Sequence, residues 1–273
     1  MKGTEARSVS MLNNLITQRR LIWSLAKNDF RKRFAGSYLG IVWALVQPVV
    51  TVLVYWFVFQ VGLRQTQKIG DVPFLLWMLA GLVPWFYFND ALNGGTASLV
   101  EYSYLVKKVV FRIEILPMVK CVSALFVHLF FVGLTYLLYC IYGKFPGIYT
   151  LQLLYYSICM FLLVLSLSYF TSAVAVLVRD MVQLVTIILQ IGVWATPIMW
   201  DLNSIGLPEI LVKLFKMNPM YYIVYGYRDS LIWHVPFWRH PLLTLYFWLF
   251  VAVVYWWGTR TFKRSRGHFA DVL

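Results

Sequence analysis

Long apolar runs constrain the fold of this chain more than any other feature of its sequence. A helix needs about 20 apolar residues, at about 1.5 Å of rise each, to cross a hydrocarbon core of about 30 Å. Five runs meet this requirement comfortably and a sixth meets it narrowly, which predicts an all-α integral membrane protein with six transmembrane helices. The runs cover residues 38–62, 73–89, 115–142, 151–178, 182–200 and 241–261.

The composition agrees with a protein that crosses the membrane several times. Of the 273 residues, 61% are hydrophobic and only 13% are charged, whereas a soluble domain has about 25% charged residues. The net charge of +13 comes from basic residues at the two ends and in the predicted loops. Membrane proteins that retain their basic residues on the cytoplasmic side show this distribution. We therefore expect membrane lipids, and not nucleic acid, as partners. The first apolar run follows a polar, basic segment and is long enough to span, so we expect no cleaved leader.

Lysine and arginine counts predict the orientation of the spans. Residues 1–37 contain eight of them and the tail from 259 contains four. An even number of spans with basic segments at both ends places both termini in the cytoplasm. The chain then divides into a cytoplasmic N-terminus (1–37), a membrane domain (38–262) and a cytoplasmic tail (263–273). Loops 90–114 and 178–181 are predicted to be cytoplasmic, and loops 63–72, 143–150 and 201–240 to lie outside.

An amphipathic helix is predicted before the first span. The apolar residues recur near helical spacing, and most of the basic residues fall elsewhere on the helical wheel, as in helices that lie in the membrane interface. The alternative is a basic segment that only fixes the topology of the first span. The apolar residues are Leu15, Ile22, Trp23, Ala26, Phe30 and Phe34.

The first cytoplasmic loop contains a further helical pattern. We expect Gly94-Gly95 to break the second span, and Ser98-Leu99-Val100-Glu101 has the form of a capping box. Lys107 and Lys108 fall near the C-terminal end of the pattern, where the helix dipole favours cations. The sequence therefore predicts a short exposed helix over residues 98–108 that docks on a partner. The alternative is a connector that lies on the membrane.

Residues 201–240 are too apolar for a solvated loop and too often interrupted for a simple span. Pro208 and Glu209 suit a helix start, and Asn218-Pro219 suits its end. A second helical piece is predicted over 220–233. We expect two short helices that dip into the outer leaflet as a re-entrant gate, because irregular backbone is tolerated at that depth only where protein covers it.

The sequence offers no pattern for catalysis. Its 11 acidic residues include no DxxD or DxD pair, and its three cysteines fall inside apolar runs, so we expect no metal site. His128 stands alone in the third span, where an interhelical hydrogen bond is the better interpretation. There is no GxxxxGK[ST] phosphate loop. Because no ionisable group lies clearly at midspan, a separate ATPase is favoured over an ion gradient as the energy source for transport.

Aromatic residues are abundant in the second, fifth and outer segments. Sugars present C–H faces that stack on aromatic rings, so an aromatic lining would let a glycan pass without fixing it in place. The alternative is that these residues belong to the interfacial belts that collect Trp and Tyr. The residues proposed as channel lining are Trp43, Tyr55, Trp56, Trp85, Phe86, Tyr87, Phe88, Trp194, Trp200, Tyr221, Tyr222, Tyr225 and Arg228.

Five segments carry a family resemblance. They are "RFAGSYLGIVWALVQP" (33–48), "LVKKVVFRIEILP" (105–117), "VRD" (178–180), "TPIMW" (196–200) and "NPMYYIVYGYRDSL" (218–231). In this order, they resemble the ABC-2 permeases that export polysaccharides and polyol phosphates, including teichoic acid, O-antigen and capsule exporters. The resemblance runs from about residue 19 to the end of the chain. Phe111 departs from it, since the family often has proline before the arginine.

The resemblance implies an ABC-2 exporter fold in the bacterial cytoplasmic membrane. Two copies of the chain would pair with two copies of an ABC ATPase, which would bind ATP and Mg²⁺, whereas this chain would hold no cofactor. The helix at 98–108 would be the coupling helix. The cargo would be a polysaccharide or teichoic acid linked to a polyprenyl pyrophosphate or another lipid. The coupling residues would be Ser98, Glu101, Tyr102, Leu105, Lys107, Lys108 and Arg112, with Arg179 and Asp180 either as a second contact or paired with each other.

The N-terminal helix would flank a lateral entrance for the lipid-linked cargo. Guanidinium groups there would bind the phosphate oxyanions of the head group in bidentate fashion, and Pro48 would loosen the first span. The alternative is that these charges serve only topology and attraction to anionic lipids. The entrance residues would be Trp23, Phe30, Arg31, Lys32, Arg33 and Tyr38.

Two other functions compete with polymer export. One is export of small hydrophobic drugs by a permease of the same type. The other is a membrane-embedded glycosyl or polyprenyl transferase, against which the absence of acidic motifs counts.

Overall fold

The computed structural model describes residues 17–62, 72–107, 112–145, 147–202 and 206–272. These residues form helices and short connections, and no strand occurs among them. The α-helices are α1 (Arg19–Arg33), α2 (Trp43–Trp56), α3 (Phe74–Glu101), α4 (Ser103–Val106), α5 (Ile115–Ile141), α6 (Gln152–Leu177), α7 (Met181–Ala195), α8 (Glu209–Lys216), α9 (Pro219–Arg228), α10 (Pro241–Ser265) and α11 (Phe269–Val272).

Five helical segments of the described chain are long and apolar enough to cross a membrane, so this is a multi-pass membrane protein. The run predicted at 182–200 forms α7, which has only 15 residues and a length of about 22 Å, less than a full span. The described residues that follow it directly, 196–202, are not α-helical. The five segments are Gly40–Gly62, Phe74–Glu101, Ile115–Ile141, Ile148–Leu177 and Pro241–His268.

The expected break at Gly94-Gly95 is wrong, because α3 continues through both glycines to Glu101. A helix in apolar surroundings keeps its backbone hydrogen bonds, since no water is present to replace them. Gly95 serves close packing instead: a Cβ atom there would lie 2.1 Å from Oγ of Ser168 in α6. The predicted capping box is also wrong, because Ser98 lies inside α3 and donates a hydrogen bond to the carbonyl of Gly95 at 2.6 Å.

Helices α3 and α6 form the centre of the bundle. Helix α3 packs against α5, α6, α7 and α9, and α6 also packs against α10. Within the most apolar 18 residues of each span, 78% of the residues are buried in α3, compared with 11% in the first span, Gly40–Gly62. The first span therefore exposes most of its surface within one copy of the chain, although side chains such as Val52 and Phe59 pack against the core.

The N-terminal helix is present where the apolar pattern predicts it. Helix α1 buries Ile22 and Ala26 against Ile115 and Val119 at the start of α5. Leu15, the first residue of the predicted pattern, lies outside the described residues. We call the end of the bundle where α1, α4 and α11 lie the α1 end.

Two short helices occupy the segment predicted to contain them. Helix α8 begins at Glu209 after Pro208 and ends at Lys216. Helix α9 begins at Pro219, with the Asn218 side chain accepting a hydrogen bond from the amide of Met220 at 3.0 Å, which is a favourable N-cap. It continues as a π-helical turn, Asp229–Trp233. We call this part of the molecule the α9 end.

Candidate functional site: a cavity and the ion pairs beside it

A cavity of about 670 Å³ lies between α2, α3, α5 and α7. Its aromatic wall includes Trp43, Tyr55, Trp85, Phe86 and Phe131. The amides of Gln47, Asn89 and Gln190 add hydrogen-bonding groups to the same surface. Flat rings combined with amides are suited to a ligand that carries both C–H faces and hydroxyl groups.

Some of the residues proposed as channel lining line this cavity, and others lie elsewhere in the structure. Five of them, Trp43, Tyr55, Trp85, Phe86 and Tyr87, line it. The others do not: Trp56 is half-buried, Phe88 is buried beside Trp85, Trp194 is exposed on α7, Trp200 packs on Phe215, and Tyr221, Tyr222 and Tyr225 belong to α9.

Arg228 lies fully buried at the α9 end and does not line the cavity. Its Nη1 donates to the carbonyl of Pro197 at 2.8 Å and its Nη2 donates to the carbonyl of Ile198 at 2.7 Å. Its guanidinium carbon stacks 3.5 Å from the centre of the Trp77 ring. These contacts fasten α9 to the chain that follows α7 and to the start of α3.

An ion pair stands at the edge of the cavity nearest α1. Arg33 donates from Nη1 to Oδ2 of Asp90 at 2.7 Å and from Nη2 to Oδ1 at 2.5 Å, and both residues line the cavity. Hydrogen bonding to Asp90 raises the pKa of Arg33, against the opposing effect of burial. This bidentate geometry is also the geometry with which arginine holds a phosphate group.

The other proposed entrance residues lie along α1 and just beyond its C-terminal end. Arg31 and Lys32 are exposed at the end of α1, and Tyr38 is fully exposed beyond it. Trp23 and Phe30 pack their rings against Phe126 of α5, with centroids 5.3 and 5.4 Å apart. The two aromatic residues therefore attach α1 to the bundle, while the basic residues remain accessible.

A second ionic cluster joins α1, α3 and α5. Lys120 forms ion pairs with Asp29, at 2.7 Å, and with Glu101. The hydroxyl of Tyr102 donates to Oδ1 of Asp29 at 2.7 Å. Burial alone would raise the pKa of Asp29. The hydrogen bond and the positive charge of Lys120, and the hydrogen bond from Tyr102, outweigh burial, so the pKa of Asp29 is lowered. The carboxylate is therefore held in its charged form.

Sequence reasoning missed Asp29, Asp90 and Lys120 as site residues. Lys120 carried a usable signal, because a single lysine a few residues inside an apolar span needs a partner to be stable there. The identity of that partner was not readable, since Asp29 lies 91 positions away in the chain.

The proposed coupling residues occupy the α1 end with different exposures. Ser98 is fully buried and Tyr102 is buried, whereas Glu101, Lys107 and Arg112 are exposed and Leu105 is half-buried. Between α3 and α5, the described residues form one separate short helix, Ser103–Val106. Arg179 and Asp180 are exposed in the turn between α6 and α7, and Lys108 lies outside the described residues.

The C-terminal tail folds against the same end. Arg266 donates to Oε1 of Glu114 at 2.5 Å, and the Phe269 side chain is fully buried against Phe262. The tail therefore braces the chain just before α5.

His128 makes the interhelical hydrogen bonds that its position predicts. Its Nε2 lies 3.0 Å from the hydroxyl of Tyr227 in α9 and 3.2 Å from that of Ser157 in α6. No group of three or more His, Cys, Asp or Glu side chains that could hold a metal ion occurs in the part of the chain that the structure describes.

Comparison with known proteins identifies the family. The family described as "ABC-2 type transporter" matches residues 20–232. An O-antigen export system permease protein RfbA of Myxococcus xanthus is 28% identical over 266 residues, which covers 97% of this chain and 100% of the relative. A protein of the same name from Klebsiella pneumoniae is 21% identical over 270 residues, with the same coverage. Together with the multi-pass helical fold, the match over most of its length means that this chain belongs to the ABC-2 type transporter family.

Proposed function

We propose that this chain is the transmembrane permease subunit of an ABC exporter that moves a lipid-linked polysaccharide or teichoic acid across the bacterial cytoplasmic membrane. ATP hydrolysis in separate ATPase subunits, which bind ATP and Mg²⁺, drives the movement. The observation that carries the proposal is the cavity between α2, α3, α5 and α7, with Arg33 beside Asp90 at its edge. The similarity to permeases named for O-antigen export supports the class of cargo.

The cavity has the chemistry that a glycan or polyol chain needs. Aromatic faces give contact without directional bonds, so successive sugar units gain similar stabilisation as they pass. Amides such as Gln47, Asn89 and Gln190 exchange hydrogen bonds with hydroxyl groups. The cavity volume of about 670 Å³ falls in the range of pockets that bind small molecules. It therefore holds a short stretch of a polymer and not a whole chain.

The head group of the lipid carrier is assigned to the edge of the cavity. Arg33 presents two parallel hydrogen-bond donors there, and the carboxylate of Asp90 accepts both hydrogen bonds. A pyrophosphate offers the same pair of acceptor oxygens with more negative charge, and it displaces the carboxylate when cargo arrives. The exposed Arg31 and Lys32 attract the head group from the membrane surface.

A second copy of the chain completes the pathway. The first span is only 11% buried within one copy, although its helix carries polar groups, including Gln47 and Thr51, on the side that lines the cavity. A second copy packed against this span would enclose the polar side of the cavity in protein, as polar groups inside a bilayer require. We therefore assign the exposed faces of α2 and the neighbouring α7 to the contact between two copies.

The orientation follows from the basic termini. The α1 end faces the cytoplasm, where Leu105, Lys107, Arg112 and the turn at Arg179 are available to an ATPase. Helices α8 and α9 then form a gate at the outer face. Alkaline phosphatase fused after Lys144 should be active and the same enzyme fused to the C-terminus inactive, and the reverse pattern would reject this orientation.

Co-purification and depletion test the proposed function. The tagged chain should retain a P-loop ATPase in a one-to-one ratio, and depletion of the chain should remove a polysaccharide or teichoic acid from the cell surface. Purified complex in vesicles should move lipid-linked polymer only with ATP. Transport by this chain without an ATPase would contradict the proposal, and resistance to small hydrophobic drugs with unchanged surface polymer would replace it with drug export.

A further inference from the structure

A series of hydrogen bonds connects α7 with the Asn89 amide in the wall of the cavity. The Thr186 hydroxyl on α7 donates to Oδ1 of Asn93 on α3 at 3.0 Å. Nδ2 of Asn93 donates to the backbone carbonyl of Asn89 at 3.0 Å and to Oδ1 of Asn89 at 3.2 Å. Asn89 lines the cavity, whereas Asn93 and Thr186 do not. Asn93 and Thr186 can therefore act on a bound ligand only through Asn89.

The backbone carbonyl of Asn89 fixes the orientation of both amides. A carbonyl oxygen can only accept, so the nitrogen end of the Asn93 amide faces it. The oxygen of Asn93 then faces Thr186, whose hydroxyl proton is shared with the carbonyl of Val182, also at 3.0 Å. Because the nitrogen of Asn93 faces the Asn89 side chain as well, the Asn89 oxygen is turned toward it. Turning the Asn89 amide over would bring two donors together and lose this hydrogen bond.

The nitrogen of the Asn89 side chain is left for the cavity. No protein group in the described part of the chain accepts a hydrogen bond from it. Asp90, the next residue of α3, holds the guanidinium of Arg33 at the same edge of the cavity. One neutral and one positively charged donor group therefore lie together. Oxygens without a proton suit two donors better than hydroxyl groups do, because a hydroxyl must also place its own proton.

We propose that Asn93 and Thr186 are positioning residues that hold the Asn89 nitrogen toward the cavity, where it donates to a proton-free acceptor oxygen of the cargo. This inference rests on the proposed function and deepens it, since it gives the chemistry of one cargo group. The oxygen belongs either to the pyrophosphate of the lipid carrier or to an acetamido group on the first sugar. Both sources offer the same acceptor, and the experiment below distinguishes them.

Asn93→Leu tests the inference in the purified complex with the partner ATPase. The variant removes both hydrogen-bonding ends of the side chain with little change in its volume. The probes are a polyprenyl pyrophosphate and the same lipid carrying one N-acetylglucosamine. We expect the Kd of the sugar-bearing lipid to rise about fivefold, the order expected when one neutral hydrogen bond is lost. An equal rise for the bare lipid assigns the oxygen to the pyrophosphate, and an unchanged Kd for the bare lipid assigns it to the acetamido group.

Thr186 allows a matched pair of variants. Thr186→Val keeps the shape of the side chain and removes the hydroxyl, so the Asn93 amide loses one of its anchors. We expect the Kd of the same probe to rise about twofold to threefold, less than in Asn93→Leu. Thr186→Ser keeps the hydroxyl and should bind like the wild type. A Thr186→Val complex that binds as tightly as Thr186→Ser would contradict the positioning role of Thr186.

A double-mutant cycle separates positioning from a merely structural role. Asn89→Leu should raise the Kd by about fivefold or more, since it removes the donor itself. Adding Asn93→Leu to Asn89→Leu should cause no further rise, because Asn93 acts through Asn89. If the two effects multiply, Asn93 acts elsewhere and the inference is overturned. If Asn93→Leu does not assemble, Thr186→Val takes its place in the cycle.

The binding experiment uses neither ATP nor transport, so it fails separately from the proposed function. A complex whose affinity for these lipids depends on Asn93, but which moves no polymer with ATP, would contradict the proposed function and leave this inference intact. ATP-driven polymer transport together with an unchanged Kd in Asn93→Leu would overturn the inference alone. Failure of the wild-type complex to bind either lipid would also overturn the inference.

Discussion

The guanidinium of Arg228 lies 3.5 Å from the centre of the Trp77 ring, with no exposed surface. The same group donates hydrogen bonds to the carbonyls of Pro197 and Ile198. One side chain thus connects α9, the start of α3 and the chain after α7. A planar group with several donors is required, because it must stack on the ring and reach two carbonyls at once.

Replacing Arg228 should destabilise the α9 end. Arg228→Lys keeps the positive charge but cannot stack and bond to both carbonyls, so we expect a loss of about 2 kcal/mol in the free energy of unfolding. The melting temperature in detergent measures the effect. Arg239→Lys is the control, because Arg239 is exposed. Equal melting temperatures for the two variants would contradict this account of Arg228.

Close helix packing at Gly258 predicts a steric effect. A Cβ atom at this position would lie 2.7 Å from the carbonyl oxygen of Ser166, and this oxygen belongs to the backbone of α6, which cannot move aside. Gly258→Ala should therefore lower the free energy of unfolding by about 1–3 kcal/mol. The effect should appear as a lower melting temperature and less protein in the membrane.

Gly133→Ala provides the matched comparison. Gly133 lies on the exposed face of α5, and a Cβ atom there would meet no atom within 4 Å. We expect a melting temperature within a few degrees of the wild type. If both alanine variants behave alike, packing between α10 and α6 is not the reason for glycine at position 258.

The bidentate pair with Asp90 distinguishes Arg33 from its exposed neighbour Arg31. Arg33→Gln should lower polymer export about tenfold, because a neutral amide cannot replace the two charged hydrogen bonds. Arg31→Gln should lower it less, since Arg31 is exposed and contributes attraction at longer range. Surface polymer, normalised to the amount of permease in the membrane, measures both effects. A larger loss of export in Arg31→Gln than in Arg33→Gln would mean that the head group binds at Arg31 and not at the Arg33–Asp90 pair.

Obstruction of the cavity should stop transport without stopping ATP hydrolysis. Ala44 lines the cavity on α2, and Ala44→Trp would fill part of its volume. We expect export to fall at least about tenfold while the ATPase remains bound and active, because the barrier is steric. The comparison is polymer moved and phosphate released by the same vesicles.

Leu249→Trp is the control for the added side-chain volume. Leu249 is exposed on α10, away from the cavity, so the same bulky residue there should leave export unchanged. Full export by Ala44→Trp would place the path of the polymer outside this cavity.

Much of the helical framework was predictable because its signals are local. The apolar runs, Pro208 and Asn218-Pro219 lie within the elements that they define, and the structure places helices at each of them. The same local reasoning was wrong at Gly94-Gly95 and Ser98, because packing of α3 against α6 outweighs glycine's weak preference for helix.

The sequence by itself determined that this protein crosses the membrane several times and, through motifs in fixed order, that it resembles ABC-2 permeases. The length of a helix and the apolar character of a span depend on residues that are close together in the sequence, so both can be predicted from the sequence alone. Only the tertiary structure decided that Arg33 meets Asp90, that Lys120 joins Asp29 to Glu101, and that Arg228 is enclosed. A charge in poorly solvated surroundings takes whichever partner the fold brings within reach, and the ion-pair partners of Arg33 and Lys120 lie 19 to 91 residues away along the chain.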